Sequence, residues 1–240
     1  MKAFLLAAGH GMRLRPYTAT VPKCLLPVQG IPILEIWLAL CSRYEISEVL
    51  VNTHAHASAV TDFVQRWNNG VRVIVAEEKK LFGSAGTLRA NREWVDGEER
   101  FWIFYADVLT SADLTAMLRI HTPDAAATLG VYSVPDPERC GIVSLNEHGI
   151  VTGFQEKPAR PQGNLAFAGI MIGTPELIEA IPDKPGADIA FDVLPRLVGR
   201  LRAHRISEFL LDIGTLENYE LAQNTWPGIP GCVNKDAIAT

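Results

Sequence analysis

The sequence has no apolar run long enough to cross a bilayer. It has no internal repeat, no low-complexity segment and no convincing linker. A membrane-spanning helix and a solenoid are therefore excluded. Cysteine is scarce: Cys24, Cys41, Cys140 and Cys232 form no C-x-x-C pair. That removes a zinc knuckle or a dithiol redox motif and leaves reduced, partly buried thiols as the expectation. Positive charge is not in excess, with 22 Lys and Arg against 27 Asp and Glu and a net charge of −5. Such a balance argues against a broad nucleic-acid-binding surface but leaves room for a local cationic pocket. No signal-peptide pattern precedes the first apolar stretch, so a cytoplasmic location is expected. His54 and His56 lie two apart with no further metal ligand at matching spacing, which reads as a solvated loop. The rest is an ordinary globular balance, 48% hydrophobic and 20% charged over 240 residues, enough to bury a sizeable core.

The most informative stretch runs from Lys2 to Val28. Ala3 to Ala8 is apolar and free of Gly and Pro, which predicts a buried strand. It breaks into Gly9-His10-Gly11, followed by Arg13, Arg15 and Lys23 in a loop punctuated by Pro16, Pro22 and Pro27. Glycines let the backbone approach a ligand closely, and prolines stiffen the loop. A stiff cationic loop at the carboxyl end of a first strand is suited to a polyphosphate. Leu14 stands where a dinucleotide fingerprint needs its third glycine, and no Gly-Lys-Ser/Thr follows, so neither a Rossmann fingerprint nor a P-loop is present.

The full string, Leu6, Ala8-Gly9, Gly11, Arg13-Leu14, Pro16, Thr18, Pro22-Lys23 and Leu25-Leu26-Pro27-Val28, resembles the signature of the sugar-phosphate nucleotidyltransferases. It is similar to their short forms that lack a C-terminal β-helix, among them mannose- and heptose-1-phosphate guanylyltransferases. The resemblance extends to about Tyr219 and implies an α/β, Rossmann-like three-layer αβα domain with a mixed, mostly parallel central sheet. We read one such domain over 1–240, with a nucleotide-binding half at about 1–110 and a sugar-phosphate-binding half at about 111–225.

Patterning along the chain agrees in its first half. Helices are expected at Ile31–Tyr44, with Pro32 in the first turn, at Ala57–Trp67, and from Gly83 through Trp94. Strands are expected at Glu48–Asn52, Val71–Ala76 and Phe101–Ala106, and the alternation implies parallel pairing. The second half reads mainly as strands, at Ala125–Val134, Gly141–Leu145, Ile150–Gln155 and Leu165–Ile172, with a short one over Phe209–Leu211. Helices are expected at Glu176–Ile181, Phe191–Leu201 and Thr215–Gln223, and a tail of uncertain order from Trp226.

The resemblance implies attack of a sugar 1-phosphate oxygen on the α-phosphorus of a nucleoside triphosphate, with pyrophosphate leaving. The attacking oxygen is already ionised, so no Ser, Cys or His nucleophile is needed. Alignment and cationic stabilisation suffice. Arg13 and Lys23 are the expected triphosphate contacts, and Asp107 completes the catalytic set. The nucleotide would further meet Leu6, Ala8, Gly9, Gly11, Glu78 and Gly86. Asp107 and Asp212 each close an apolar strand, where a carboxylate reaches the ligand crevice of an open α/β sheet. The resemblance makes them ligands of Mg²⁺, although Ala106 stands where the family carries Gly.

Glu156-Lys157-Pro158 matches the family element that contacts sugar hydroxyls and the sugar phosphate. Gly141, Ala168 and Gly169 match elements on which the sugar rests. Cys140 replaces an aromatic residue there and Phe167 an Asn, which leaves the sugar or pseudo-sugar open. For the base, the resemblance implies a Gln before the helix-opening glycines in thymidylyl- and uridylyltransferases and an acidic residue in short guanylyltransferases; no Gln occurs between Val71 and Leu88, whereas Glu78 precedes Gly83-Ser84-Ala85-Gly86. A carboxylate would suit the two donors of a guanine edge, so GTP ranks above dTTP and UTP. The partners expected are therefore a nucleoside triphosphate and a sugar 1-phosphate, with a homo-oligomer left open and neither nucleic acid nor membrane. The alternatives are a thymidylyl- or uridylyltransferase, a sensing domain without catalysis, and a choline-phosphate-type cytidylyltransferase.

Overall fold

The computed structural model describes residues 1–229. In chain order its elements are β1 Lys2–Leu6, β2 Pro27–Val28, β3 Ile31–Pro32, α1 Ile33–Arg43, β4 Glu48–Thr53, α2 Ala57–Arg66, β5 Arg72–Glu77 and α3 Ser84–Ala90. There follow β6 Phe101–Tyr105, β7 Val108–Thr110, α4 Leu114–Ile120, β8 Ala127–Ser133, β9 Gly141–Leu145, β10 Val151–Glu156 and β11 Leu165–Gly173. The chain closes with α5 Pro175–Glu179, β12 Leu201–Arg205, β13 Leu210–Asp212 and α6 Leu216–Thr225.

A nine-stranded sheet organises the molecule. On one side β5, β4, β1 and β6 run parallel, as strands joined by helical crossovers must. On the other side β11 pairs antiparallel with β6, β8 antiparallel with β11, and β12 parallel with β8. The sheet is thus mixed, with helices on both faces. Period-2 alternation sorts the side chains into the two layers. Ala3 and Leu5 of β1 and Trp102 and Phe104 of β6 join one core with residues of α1, α2, α4 and α6. Phe4, Phe101 and Ile103 join the other, with residues of α3 and α5.

β11 forks the sheet. Its C-terminal half pairs with β6, while Ala166 pairs with Ile142 of β9 on the same edge. Between these halves Ala168, Gly169 and Ile170 lie where β8 spends only Gly130. Gly169 takes φ +70, a conformation that side chains disfavour, and a Cβ there would press on Tyr105 and Val108. The bulge re-aims the strand and brings the second half of the chain beside the end of β6.

Several elements depart from the expectations. Pro32 sits before α1 as its cap, since Ile31–Pro32 pairs with Pro27–Val28. The helix expected over Phe191–Leu201 is a wide turn of π type over Ile189–Val193 and a tight one over Leu194–Leu197. Pro195 lacks the N–H that a continuing helix would need. β7, α4 and β12 were not expected at all. α4 is only seven residues long and is started by Asp113, whose carboxylate accepts from the N–H groups of Thr115 and Ala116. β12 is a polar strand that pairs with β8, touches the opposite side through a bridge from Arg202 to Ile150, and lacks a clean apolar alternation. The expected tail beyond Ile229, with Cys232, lies outside the described residues.

Candidate active site

The carboxyl ends of β1, β4 and β6 open into a cleft of about 460 Å³. Of the residues singled out in the sequence, Leu6, Ala8, Gly9, Gly11, Arg13, Lys23, Glu78 and Asp107 line it. Gly11 is required by the loop: φ is +61, and an added Cβ would come within 2.8 Å of Thr18 Cγ2. The Thr18 hydroxyl donates to the Gly11 carbonyl at 2.7 Å, which closes the loop on itself. Leu14 turns inward and is buried, so the same loop presents Arg13 outward.

Asp107 follows β6 and leads into β7. β7 pairs antiparallel with β13, which ends at Asp212. The N–H of Ile213 donates to the carbonyl of Asp107 at 2.9 Å, so the two aspartates are fixed on neighbouring strands. Gly214 N–H donates to Asp212 Oδ1 at 2.6 Å. A Cβ on Gly214 would lie 2.7 Å from Asp212 Oδ1, 2.9 Å from Arg13 Nη2 and 3.5 Å from Lys23 Nζ. Two cations and a carboxylate thus crowd around one backbone position. α6 ties this corner to the signature loop: the Tyr219 hydroxyl donates to the Pro27 carbonyl at 2.6 Å, and Asn218 Nδ2 to the Asp212 carbonyl at 2.6 Å.

Lys23 Nζ donates to Asp107 Oδ2 at 2.8 Å. Arg13 makes no ion pair among the described residues. Asp212 presents an edge to solvent but is enclosed on its inner side. That burial, and then the charge of Asp107, raise its pKa; the Gly214 N–H, Lys23 and Arg13 pull it down by less. Cys24 also touches the cleft, but burial pushes its thiol up to about 12, so it stays protonated and is no nucleophile.

Glu78 does not stand free for a base. It is buried, its Oε1 accepts from Asn52 Nδ2 at 2.8 Å and from the Thr87 hydroxyl at 2.5 Å, and its Oε2 accepts from the Phe82 N–H at 2.9 Å. Asn52 in turn accepts from the Ala7 N–H at 2.7 Å. Glu78 therefore fixes the floor of the cleft through Asn52. Nor does Gly86 face the cleft. The N–H groups of Ala85 and Gly86 donate to the Ala187 carbonyl at 3.0 and 3.1 Å, so the start of α3 is closed by the chain itself. Asn52, Thr87, Ser84 and Tyr105 also line the cleft and were missed. Ser84 and Thr87 lie in the segment Glu77–Leu88 that the resemblance assigns to the base, and Asn52 is a polar residue closing the apolar strand EVLVN.

Gly141, Glu156, Lys157, Ala168 and Gly169 lie outside that cleft, on the β9–β10–β11 side. Gly141 and Glu156 are register partners, and a Cβ on Gly141 would meet Glu156 Oε2 at 2.6 Å. Glu156 Oε1 and Lys157 Nζ are 3.5 Å apart. Burial raises the pKa of Glu156, the Lys157 charge lowers it, and the Asp188 charge raises it again. Tyr105 joins the two regions: it lines the cleft, contacts Gly169, and sets its ring edge-on to Phe167 at 5.9 Å. The groups form no cluster of three or more candidate metal ligands among the described residues. None of their helices is long and apolar enough to cross a membrane.

Comparison with known proteins agrees with this architecture. A UTP–glucose-1-phosphate uridylyltransferase of Synechocystis is 29% identical over 255 residues, covering 98% of this chain and 64% of that protein. A Sulfolobus acidocaldarius protein assigned as a mannose-1-phosphate guanyltransferase is 30% identical over 199 residues, covering 82% and 54%. The chain thus spans less than two thirds of the length of these relatives. A structure assigned as a glucose-1-phosphate thymidylyltransferase of Bacillus anthracis, solved with sucrose, superposes with a TM-score of 0.81 at 26% identity, covering 93% of this chain and 94% of that one. The family model described as nucleotidyl transferase matches residues 2–227, and the chain belongs to that family.

Proposed function

We propose that the protein transfers a nucleotidyl group from a nucleoside triphosphate to a sugar 1-phosphate and releases pyrophosphate. The observation that carries this reading is the convergence of Arg13, Lys23 and Asp212 around Gly214, with Asp107 bonded to Lys23, beside the glycine loop at the end of β1. Both reactants are anions, and the loop supplies two cations where a triphosphate would lie against it. Arg13, without an ion pair among the described residues, offers a planar fork to phosphate oxygens, and Lys23 a compact charge. The acceptor phosphate oxygen attacks the α-phosphorus as the bond to pyrophosphate breaks. No proton needs to move, in keeping with the protonated Cys24.

Asp107 and Asp212 would hold Mg²⁺. Two neighbouring hard-oxygen carboxylates, one with its pKa raised by burial and by the other's charge, form a site that a dication relieves. Two carboxylates also suit Mg²⁺, which takes its remaining ligands from water and substrate phosphates. When bound it would neutralise charge on the phosphates. Glu156 and Lys157 lie on the acceptor side, where a carboxylate accepts from sugar hydroxyls and an ammonium neutralises the phosphate.

GTP is the favoured donor in this reading. The support is the lack of a Gln between Val71 and Leu88 and the guanyltransferase assignment of the Sulfolobus relative. Glu78 contributes by holding Asn52 and the Phe82 backbone, not by reaching the base freely. A matrix of GTP, dTTP, UTP, ATP and CTP against hexose, heptose and cyclitol 1-phosphates, read by pyrophosphate release with and without Mg²⁺, tests the proposal. No release from any pair sinks it; release that prefers dTTP or UTP sinks only the choice of base.

A further inference from the structure

Phe191 exposes 56% of its surface, although burying a phenyl side chain would be favourable. Its backbone is nevertheless held firmly. Asp188 Oδ1 accepts from the N–H groups of Ala190 at 2.9 Å and Phe191 at 3.0 Å. Asp188 Oδ2 accepts from the hydroxyl of Ser84 at 2.8 Å, and Ser84 lines the nucleotide cleft. The turn that carries the ring is therefore anchored to the wall of that cleft.

Across from it, Lys157 Nζ lies 5.8 Å from the ring centroid, within reach of the ring's negative face. Lys157 takes φ +47, unusual for a side-chain-bearing residue, and its N–H donates to the Cys140 carbonyl at 2.9 Å. Glu156 Oε1 stands 3.5 Å from the same ammonium. A phenyl face and an ammonium thus share one open surface next to the cleft, with the mostly buried Glu156 carboxylate beside the ammonium.

We propose that Phe191 is the platform on which the acceptor ring lies, and hence a specificity-determining residue for the transfer proposed above. A chair-form sugar or cyclitol presents one face of C–H bonds, apolar and weakly positive, which complements the negative face of a phenyl ring. Its hydroxyl edge then reaches Glu156 and its phosphate reaches Lys157. Hydrogen bonds alone would accept many hydroxyl patterns. The platform adds a demand for a face without an axial hydroxyl, which would lift the ring from the phenyl surface.

The inference rests on the transferase reading, and two measurements keep them apart. In pyrophosphate-release kinetics, Phe191→Ala is expected to raise the acceptor KM about tenfold, an aromatic contact's worth, with the nucleotide KM within about twofold. Phe191→Tyr should retain the wild-type acceptor KM, and the exposed ring makes unfolding an unsuitable explanation. An unchanged acceptor KM in Phe191→Ala, or an equal rise in both KM values, overturns the platform. Calorimetric titration with glucose 1-phosphate and mannose 1-phosphate is the second measurement. Binding that weakens in Phe191→Ala, in a protein releasing no pyrophosphate, upholds the platform and sinks the transferase. Binding equal in both proteins, or seen in neither, overturns the platform whatever the catalysis.

Discussion

The nucleotide cleft and the acceptor side are built in different ways. The cleft is shaped by backbone: Gly11 leaves no room for a Cβ, the Gly214 N–H holds Asp212, the Ala7 N–H is held by Asn52, and the Ile213 N–H is tied to Asp107. The acceptor side is shaped by long side chains at strand ends and turns, namely Glu156, Lys157 and Phe191. A backbone-built site is fixed before a ligand arrives and suits the phosphate chain common to all nucleotides. A side-chain site is exchanged one residue at a time, and Cys140 and Phe167 lie on that side of the molecule, on the flanks of β9 and in β11.

Substitutions in the backbone-built region should be the most damaging. Asp107→Asn and Asp212→Asn are each expected to lower turnover about a hundredfold to a thousandfold at saturating Mg²⁺, with the fold kept. Near-normal turnover in either variant would remove that residue from an essential role. Gly214→Ala should act almost as strongly, because its methyl group would collide with Asp212 and Arg13. A wild-type rate there would show that the corner yields easily and would blunt the contrast.

Lysines should separate the two regions by about tenfold each. Lys23→Ala should raise the nucleotide KM and Lys157→Ala the acceptor KM. Loss of only nucleotide affinity in Lys157→Ala would reverse the assignment of the two sides.

A smaller effect is expected at the floor of the cleft. Glu78→Gln turns one acceptor oxygen into a donor facing Asn52 and Thr87 or the Phe82 N–H. A buried mismatch of this kind costs about 1–3 kcal/mol, visible as a lower Tm. An unchanged Tm would mean that the floor rearranges freely.

The weakest expected effect is on the pH dependence of stability. The pKa of Asp212 is raised in the fold. Between the ordinary carboxylate value and the raised one, the folded chain keeps a proton that the unfolded chain has lost, so stability falls as pH rises through that window. Asp212→Asn should flatten this slope and melt higher at neutral pH, as differential scanning calorimetry would register. A lower Tm at neutral pH would show that Asp212 is held by its cations more than it is burdened by burial.

Much of the first half was legible in the sequence because its signals are local. β1, β4 and β6 are apolar strands closed by Gly, Asn or Asp, β5 is an apolar run closed by Glu, and the spacing of Ile33, Ile36, Trp37 and Leu40 specifies one helix face. The signature loop places Arg13 and Lys23 in the cleft as its spacing suggests. What stayed hidden depends on distant partners. Nothing in VLT predicts β7 until Leu211 lies opposite Leu109. Glu78 looks like part of a charged turn until Asn52 and Thr87 supply its donors, and Gly86 looks available until Ala187 covers it. Gly169 was visible as part of a motif, but the reason for it, a bulge that lets one strand serve two neighbours, is a property of the assembled sheet.

That bulge divides β11 for solvent protons as well. Met171 to Gly173 run between β6 and β8 and are laddered on both edges. Ala168 and Gly169 are buried but have no register partner in either neighbour. Amide hydrogen exchange along this central strand is therefore expected to change abruptly within three residues, from core-like protection to loop-like turnover. The most labile amides of the sheet interior would then sit beside Tyr105 and Val108, in the middle of the protein instead of at its rim.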